Sequence, residues 1–102
     1  MHESLNNKVV LVTGGAGGIG RALAERFASV GSKVVVNDIS VAGVTEVVDA
    51  ITAAGGTAMA GIADVSDSAA VGGMIDAVMA ENGRIDVLVN NAGIISPMLH
   101  FF

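Results

Sequence analysis

The sequence lacks several residue types, and each shortage excludes a class of protein. Its 102 residues contain no cysteine, which excludes a disulfide framework and a thiolate metal site, and we predict no metal ligands. Ten acidic residues stand against five basic ones, giving a formal net charge of −5. Because the phosphate backbone of a nucleic acid is bound by a basic face, we expect no nucleic-acid partner. Backbone amides can still hold one small anion locally.

Long apolar runs are missing as well, although 52% of the residues are hydrophobic. Glycine, asparagine and proline interrupt the longest uncharged stretches, 50–63 and 87–102. Neither stretch supplies the roughly 18–20 apolar residues that a membrane span needs. The first residues, MHESLNNK, have neither the basic start nor the apolar core of a signal peptide. We therefore expect a soluble cytoplasmic protein without a membrane partner, folded as a single domain over residues 1–102.

Strand-like and helix-like segments alternate along the chain. Continuous β-branched runs are typical of strands buried on both faces, and apolar residues at helical spacing indicate helices. The predicted strands are Lys8–Thr13, Lys33–Asp38, Thr57–Val65 and Ile85–Gly93. The predicted helices are Gly18–Val30, a second from Ser40 to the glycines after Ala54, and a third from Ser66 or Asp67 to about Asn82. The larger apolar residues of the first helix share one predicted stripe: Ile19, Leu23, Phe27 and Val30.

This order of elements predicts an α/β fold with a Rossmann-type parallel sheet. Strands joined by helices of this length run parallel, and their crossovers are right-handed. Two crossovers in one direction and one back give a β-α-β-α-β-α-β half fold with strand order 3-2-1-4. The direction then reverses beside the first strand, and open α/β sheets bind their ligands at such a point.

A glycine cluster follows the first predicted strand and lies at that point. The stretch TGGAGGIG, residues 13–20, has five glycines in eight positions. Residues 15–20 satisfy GxGxxG, a pattern in which the amides of a helix N-terminus hold a pyrophosphate. The same residues nearly match a P-loop, but Arg21 and Ala22 replace its lysine and its hydroxyl residue. The pattern therefore favours a dinucleotide over a nucleoside triphosphate.

An acidic residue at the end of the second predicted strand bears on the choice of dinucleotide. Asp38 follows Gly20 by 18 residues. A carboxylate near this spacing accepts hydrogen bonds from the adenosine ribose, and its charge repels the 2′-phosphate of NADP. No basic residue adjoins Asp38. We therefore predict NAD as the cofactor, with NADP less favoured.

The sequence resembles the short-chain dehydrogenase/reductase family in three motifs that cover nearly the whole chain. The matching residues are Thr13-Gly14-x-x-x-Gly18-x-Gly20, Asp64-Val65 and Asn90-Asn91-Ala92-Gly93. They stand in the family's order, at the carboxyl ends of the first, third and fourth predicted strands. The resemblance implies an oxidoreductase that transfers hydride between the cofactor and a small-molecule alcohol or carbonyl substrate.

The resemblance also implies a set of cofactor-binding residues, of which Thr13 is the first in sequence. The residues at the pyrophosphate would be Gly14, Gly18, Ile19 and Gly20. Asp38 would hold the adenine ribose, and Asp64 and Val65 would meet the adenine. The residues at the nicotinamide ribose would be Asn90, Ala92 and Gly93. Plainer roles stay open: a main-chain bond for Thr13, a solvated or satisfied carboxylate for each aspartate, and turn formation for the asparagines.

The family's catalytic residues have no counterpart in this sequence. Family members carry a tyrosine, a lysine four residues later and an upstream serine, all after the NNAG motif. This chain has no tyrosine, no lysine after Lys33 and nine residues after Gly93. We therefore expect the cofactor-binding N-terminal half of such an enzyme, which alone does not transfer hydride at a normal rate.

Two other functions are compatible with the same residues. One is a non-catalytic dinucleotide-binding module, or a half fold that a second chain completes. The other is a structural fragment that binds nothing and keeps the glycines from its ancestry. In each case we expect the fourth strand to be an apolar edge, and we predict that the chain dimerises through this edge and the apolar tail 94–102.

Overall fold

The structure is a computed structural model that describes residues 5–91. Within that range, strands and helices alternate in the predicted order. The strands are β1 Val9–Val12, β2 Lys33–Asp38, β3 Thr57–Ile62 and β4 Val87–Val89. The helices are α1 Gly18–Ser29, α2 Val41–Ala53 and α3 Ser68–Asn82. None of these helices is long and apolar enough to cross a membrane.

The strands form one parallel sheet in the predicted order, β3-β2-β1-β4. Leu11 at the centre of the sheet stands opposite Val35 of β2 on one side and Leu88 of β4 on the other. The chain steps outward from β1 to β3 and then returns to the opposite side of β1. The carboxyl end of β1 is therefore the switch point at which such sheets bind ligands.

Apolar side chains cover both faces of the sheet, which explains the continuous apolar runs of β1 and β2. The strand residues packed under α1 and α2 are Val10, Val12, Val34 and Val36. Those packed against Met74 and Val78 of α3 are Val9, Leu11 and Val35. The alternation follows from the twofold period of a strand. The sheet therefore lies between α1 and α2 on one face and α3 on the other.

Capping residues set the ends of α2 and α3 where the sequence predicts them. The Ser40 hydroxyl accepts a main-chain hydrogen bond of 3.0 Å at the start of α2. The Asp67 carboxylate accepts two bonds, each of 3.1 Å, from the amides of Ala69 and Ala70 at the start of α3. Gly83 ends α3 with a φ of 77°, a left-handed conformation that favours glycine.

The buried face of α1 differs from the predicted apolar stripe. The fully buried residues of this helix are Gly20, Ala24 and Ala28. Their small side chains let α1 pack closely on the sheet, and Leu23 and Phe27 are only partly buried beside them. Ile19 is 72% exposed at the start of the helix. Ile19 therefore belongs to the apolar stripe in sequence but not to the buried face of α1.

β3 and β4 are shorter than predicted, and a carboxylate lies in the turn beside each of them. β3 ends at Ile62, and Asp64 bonds to Ser66 in a turn. β4 begins at Val87. Just before it, the Asp86 amide still donates to the Val9 carbonyl at 2.9 Å, and the Asp86 carboxylate accepts bonds from Arg84 and from the Val9 amide. These turns bring short polar segments to the sheet's ends.

Candidate functional site

A cleft of about 770 Å³ opens at the carboxyl ends of β1, β2 and β3, at the predicted switch point. It is lined by Gly14, Gly17, Gly18, Ile19, Gly20, Asn37, Asp38, Ile39, Ala63, Asp64, Val65 and Asn91. These residues come from four separate segments that the parallel sheet brings together. Asp38 and Asp64 give the cleft two carboxylates, and four glycines leave main-chain groups accessible in it. Its chemistry depends on the contacts that position each segment.

Gly18 and Gly20, in the first turn of α1, and Gly14 before them are glycine for different structural reasons. A β-carbon at Gly20 would collide with the carbonyl group of Gly14 and would lie 2.7 Å from Asn91 Nδ2. Gly14 has a φ of 62°, which favours glycine. A β-carbon at Gly18 would meet no atom of the described chain within 4 Å. The fold itself requires glycine at position 20, whereas position 18 lines the cleft with open space around it.

Helix α1 begins at this turn without a side-chain cap. Its N-cap residue is Gly17, whereas Ser40 and Asp67 cap α2 and α3 with their side chains. The first bond within α1 runs from the Arg21 amide to the Gly17 carbonyl at 2.7 Å. The amides that precede Arg21 point out of the helix end, where the helix dipole is positive. This end of α1 is therefore suited to an anion.

Asp38 fastens the glycine-rich turn to the end of β2. Its Oδ2 accepts a hydrogen bond from the Ala16 amide at 3.1 Å, and its Oδ1 accepts one from the Ile39 amide at 2.8 Å. The Gly15 amide adds a bond of 2.7 Å to the Asn37 carbonyl. A carboxylate has about four acceptor sites, so Asp38 keeps capacity for hydroxyl donors in the cleft.

Asp64 is the second carboxylate of the cleft, in the turn after β3. Its Oδ1 accepts bonds from the Ser66 amide at 2.9 Å and from the Ser66 hydroxyl at 2.7 Å. These two donors hold the pKa of the Asp64 carboxyl below its usual value. Asp64 therefore carries its negative charge at neutral pH.

The cleft has no basic residue among the residues that line it in the described chain. Arg21 stands next to the glycine-rich turn in sequence, but its guanidinium donates to Glu25 at 3.0 Å and to Glu46 at 2.6 Å. These acceptors raise the pKa of Arg21. The arginine thus joins α1 to α2 rather than serving the cleft.

Thr13 ties the end of β1 to the end of β4. Its hydroxyl oxygen accepts a hydrogen bond from the Asn91 amide at 2.7 Å. The same hydroxyl lies 3.3 Å from the Val89 carbonyl and 3.2 Å from Asn90 Oδ1, either of which can accept its proton. The Thr13 amide also bonds to the Val89 carbonyl at 3.0 Å. These bonds, which we call the Thr13 clasp, hold Asn91 beside Gly20.

Three apolar side chains stand exposed around the cleft. Ile19 is 72% exposed, Ile39 is 65% exposed and Val65 is 39% exposed. Apolar side chains at a cleft can pack against a flat ring. Ile19 is exposed at the cleft, where the family resemblance also places it.

The structure brings most of the predicted binding residues to one place. Those that line the cleft are Gly14, Gly18, Ile19, Gly20, Asp38, Asp64 and Val65. Thr13 is buried behind the turn, and Asn90 bonds to it. Ala92 and Gly93 lie outside the described residues. Whether any of them binds a cofactor stays a prediction.

Sequence reasoning missed other residues that line the cleft. They are Gly17, Asn37, Ile39, Ala63 and Asn91. Ile39 could have been found from its place directly after Asp38, and Asn91 from its place within the NNAG motif. Asn37 gave no signal, since one polar residue at the end of an apolar strand is common.

With this geometry in place, comparison with known proteins identifies the family. A family model described as short chain dehydrogenase matches residues 8–101. The chain belongs to this family, whose members are oxidoreductases that bind a nicotinamide dinucleotide and act on small molecules.

Individual relatives extend the comparison to sequences and solved structures. An uncharacterised oxidoreductase of Methylorubrum extorquens is 50% identical over 93 residues, which are 90% of this chain and 38% of that protein. A metagenomic short-chain oxidoreductase solved in complex with NADP is 43% identical, with a TM-score of 0.84 over 89% of this chain and 41% of its own. A 7α-hydroxysteroid dehydrogenase solved with NADH and 7-oxo glycochenodeoxycholic acid is 36% identical, with a TM-score of 0.82 over 84% and 34%. The chain thus spans between 34% and 41% of the length of these proteins.

Proposed function

We propose that residues 1–102 form one NAD-binding domain of a cytoplasmic short-chain dehydrogenase. The parent protein would oxidise an alcohol or reduce a carbonyl compound. The observation that carries the proposal is the cleft itself, in which the glycine-rich turn, Asp38 and the Asp64–Val65 turn meet. Hydride transfer is the chemistry that a nicotinamide cofactor supplies when it is bound.

The glycine-rich turn fits the pyrophosphate of such a cofactor. The uncapped end of α1 offers main-chain amides and a positive dipole end, and Gly17 and Gly18 add no side chain there. The open space beside Gly18 gives phosphate oxygens access to those amides. In the proposed complex, Gly14, Ile19 and Gly20 complete the surface around the pyrophosphate.

The charges of the cleft support NAD rather than NADP. Asp38 and Asp64 are the ionisable residues that line it in the described chain, and neither has a cation beside it there. A 2′-phosphate placed near Asp38 would meet a like charge, and like charges in a partly dry site repel strongly. The solved relatives include one with NADP and one with NADH, so the choice depends on these residues.

The two ends of the cofactor have proposed places as well. Asp64 and Val65 would receive the adenine, with Ile39 and Val65 as apolar walls. Asn90, Ala92 and Gly93 would flank the nicotinamide ribose. The Thr13 clasp supports this assignment, because it fixes the chain after β4 beside the glycine-rich turn.

For the 102 residues themselves we propose cofactor binding and no catalytic residue. Proton exchange with the substrate oxygen needs a general acid or base whose pKa is tuned to the reaction. The tyrosine that serves this purpose in the family has no counterpart here, because the sequence contains none. Hydride transfer is therefore proposed for the parent protein and not for this chain alone.

We further propose that this chain associates with itself through β4. Among the described strands, β4 pairs only with β1, so its outer edge presents main-chain groups to a partner. Its three residues are also only half-buried. Sedimentation of the chain as a monomer at micromolar concentration would contradict this part of the proposal.

The proposal is tested by calorimetric titration of the purified chain with NAD and NADP, with ADP-ribose as a control for the nicotinamide. Saturable binding that prefers NAD is expected. A folded chain that binds none of the three would overturn the proposal and would favour a fragment with an idle motif.

A pair of charge variants tests the choice of cofactor. Asp38→Asn removes the charge and keeps one side-chain oxygen for either the Ala16 or the Ile39 amide. The lost bond weakens both cofactors, so the ratio is the readout, and NADP affinity should rise at least about tenfold relative to NAD affinity. Asp49→Asn changes the net charge equally at an exposed position of α2 outside the cleft and should leave the ratio unchanged. An equal shift in both variants would attribute the preference to net charge alone.

A further inference from the structure

Asn37 is a buried polar residue that the proposed cofactor contacts do not explain. It is 1% exposed, and its main-chain carbonyl accepts the bond from Gly15. Its side-chain nitrogen lies 2.8 Å from the Gly61 carbonyl oxygen and 3.1 Å from the Ala63 carbonyl oxygen. The same nitrogen lies 3.4 Å from the sulfur of Met74 in α3.

The two carbonyl groups fix the orientation of the Asn37 carboxamide. Carbonyl oxygens only accept hydrogen bonds, so the amide nitrogen, which carries two protons, must face them. The reverse orientation would bring three oxygens together without a proton between them. The Asn37 side chain is therefore a bridge from β2 to the last residues of β3 and the residue that follows it.

This bridge ends where one side of the cleft begins. The Ala63 carbonyl belongs to the peptide group that leads into Asp64, and Asp64 and Val65 line the cleft. The strand ladder has already ended at Ile62. Within the described chain, Ala63 is held to β2 by the bond from Asn37 and by a bond of 3.2 Å from its own amide to the Asp38 carbonyl.

The Asp64 side chain does not anchor this turn to the sheet. Its hydrogen bonds in the described chain run to Ser66, which belongs to the same turn. The turn is therefore held from the sheet through Ala63 and from α3 through Asp67, whose amide donates to the Asp64 carbonyl at 2.9 Å. Hydrogen bonds weaken steeply with distance and angle, so a small displacement here changes how well the turn can read the edge of a base.

We propose that Asn37 is a positioning residue for the base of the dinucleotide. By holding the Ala63 carbonyl, it sets the place of Asp64 and Val65 and makes the cleft selective for adenine. The inference rests on the proposed function, because it concerns the same cleft. It adds a residue that touches the turn behind the base and determines base selectivity through that turn.

The test compares NAD with nicotinamide hypoxanthine dinucleotide, in which an oxygen replaces the amino group of the adenine. Both ligands share the riboses and the pyrophosphate, so their affinity ratio isolates the base. Asn37→Leu keeps the approximate volume but removes the side-chain donor that the Gly61 and Ala63 carbonyls share. The matched control is Asn82→Leu, because Asn82 also donates to a main-chain oxygen at 3.0 Å and to a methionine sulfur at 3.3 Å, outside the cleft.

In Asn37→Leu, we expect the Kd for NAD to rise roughly tenfold while the Kd for the hypoxanthine analogue stays within about twofold. Asn82→Leu should leave the ratio of the two unchanged. If Asn37→Leu weakens both ligands by the same factor, or neither, Asn37 has only a structural role and the inference is overturned.

Two further outcomes are separated by the same titrations. If Asn37→Leu does not fold by circular dichroism, Asn37→Ala is measured instead; it also removes the side-chain donor to the Ala63 carbonyl, so an unchanged ratio in that variant equally overturns the inference. If the unsubstituted chain binds neither ligand, the proposed function has failed, and this inference fails with it.

Discussion

Replacing Gly18 by alanine should separate the cofactor's requirement for glycine from the fold's. A β-carbon at this position meets nothing within 4 Å in the described chain, so the protein accommodates it without movement. Glycine inside a helix costs about 0.5–1 kcal/mol relative to alanine. At the first residue of α1 the gain in stability from alanine is smaller, about a few tenths of a kcal/mol. The free energy of unfolding should therefore stay equal or rise slightly.

Dinucleotide binding should respond in the opposite direction. The added methyl group would occupy the space through which phosphate oxygens reach the amides at the start of α1. Hydrogen bonds to charged groups are worth about 1.5–3 kcal/mol, so losing or lengthening one weakens NAD by roughly 10- to 100-fold. Calorimetric titration with NAD and urea unfolding of the same preparation measure both effects.

Gly72 provides the matched control for this variant. It lies within α3, outside the cleft, and a β-carbon there also meets nothing within 4 Å. Gly72→Ala should stabilise the chain by about 0.5–1 kcal/mol and leave the Kd for NAD unchanged. If Gly18→Ala bound NAD as tightly as the parent, the pyrophosphate would not rest on this turn, and the reasoning would be refuted.

Three further substitutions test the fold, two beside the cleft and one at the opposite end of the sheet. Gly20→Ala should reduce stability by more than about 2 kcal/mol in urea unfolding, because its β-carbon collides with the Gly14 carbonyl group. Thr13→Val should cost about 1–3 kcal/mol by the same measurement, since it leaves the Asn91 amide without its acceptor. The Asp86 carboxyl has a lowered pKa, first through its hydrogen bond from Arg84 and then through a main-chain amide of β1. Its stabilisation is therefore present above the unfolded pKa of about 3.9 and is lost as the pH falls through the lower folded value. The free energy of unfolding should fall less between neutral and acidic pH in Asp86→Asn than in the unsubstituted chain. An equal fall in both would contradict the role of this carboxylate.

The sequence was most informative where local chemistry and burial agree. β2 has the predicted bounds because its apolar run is covered on both faces. The start of α2 at Ser40 and the end of α3 at Gly83 follow from a side-chain cap and a left-handed glycine, both of which depend on neighbouring residues. The strand order could be predicted because right-handed crossovers leave few alternatives.

The candidate site was predictable only in part, because its remaining features depend on contacts between distant segments. Ile19 matched a helical apolar stripe, yet close packing of alanine and glycine on the sheet leaves it exposed at the cleft. Asn37 acts on residues of another strand, which no local pattern reveals. The distinction between Gly18 and Gly20 likewise requires knowing which of them approaches Gly14.

The hydrogen bond between Thr13 and Asn91 joins residues 78 positions apart, and it has a consequence for the order of folding. Every strand pairing in this sheet also crosses a helix, and closing such loops makes parallel sheets slow to form. The cleft is complete only after the first and last described strands have met. A dinucleotide that recognises only the finished sheet will slow unfolding and raise stability by mass action, but it will not accelerate refolding.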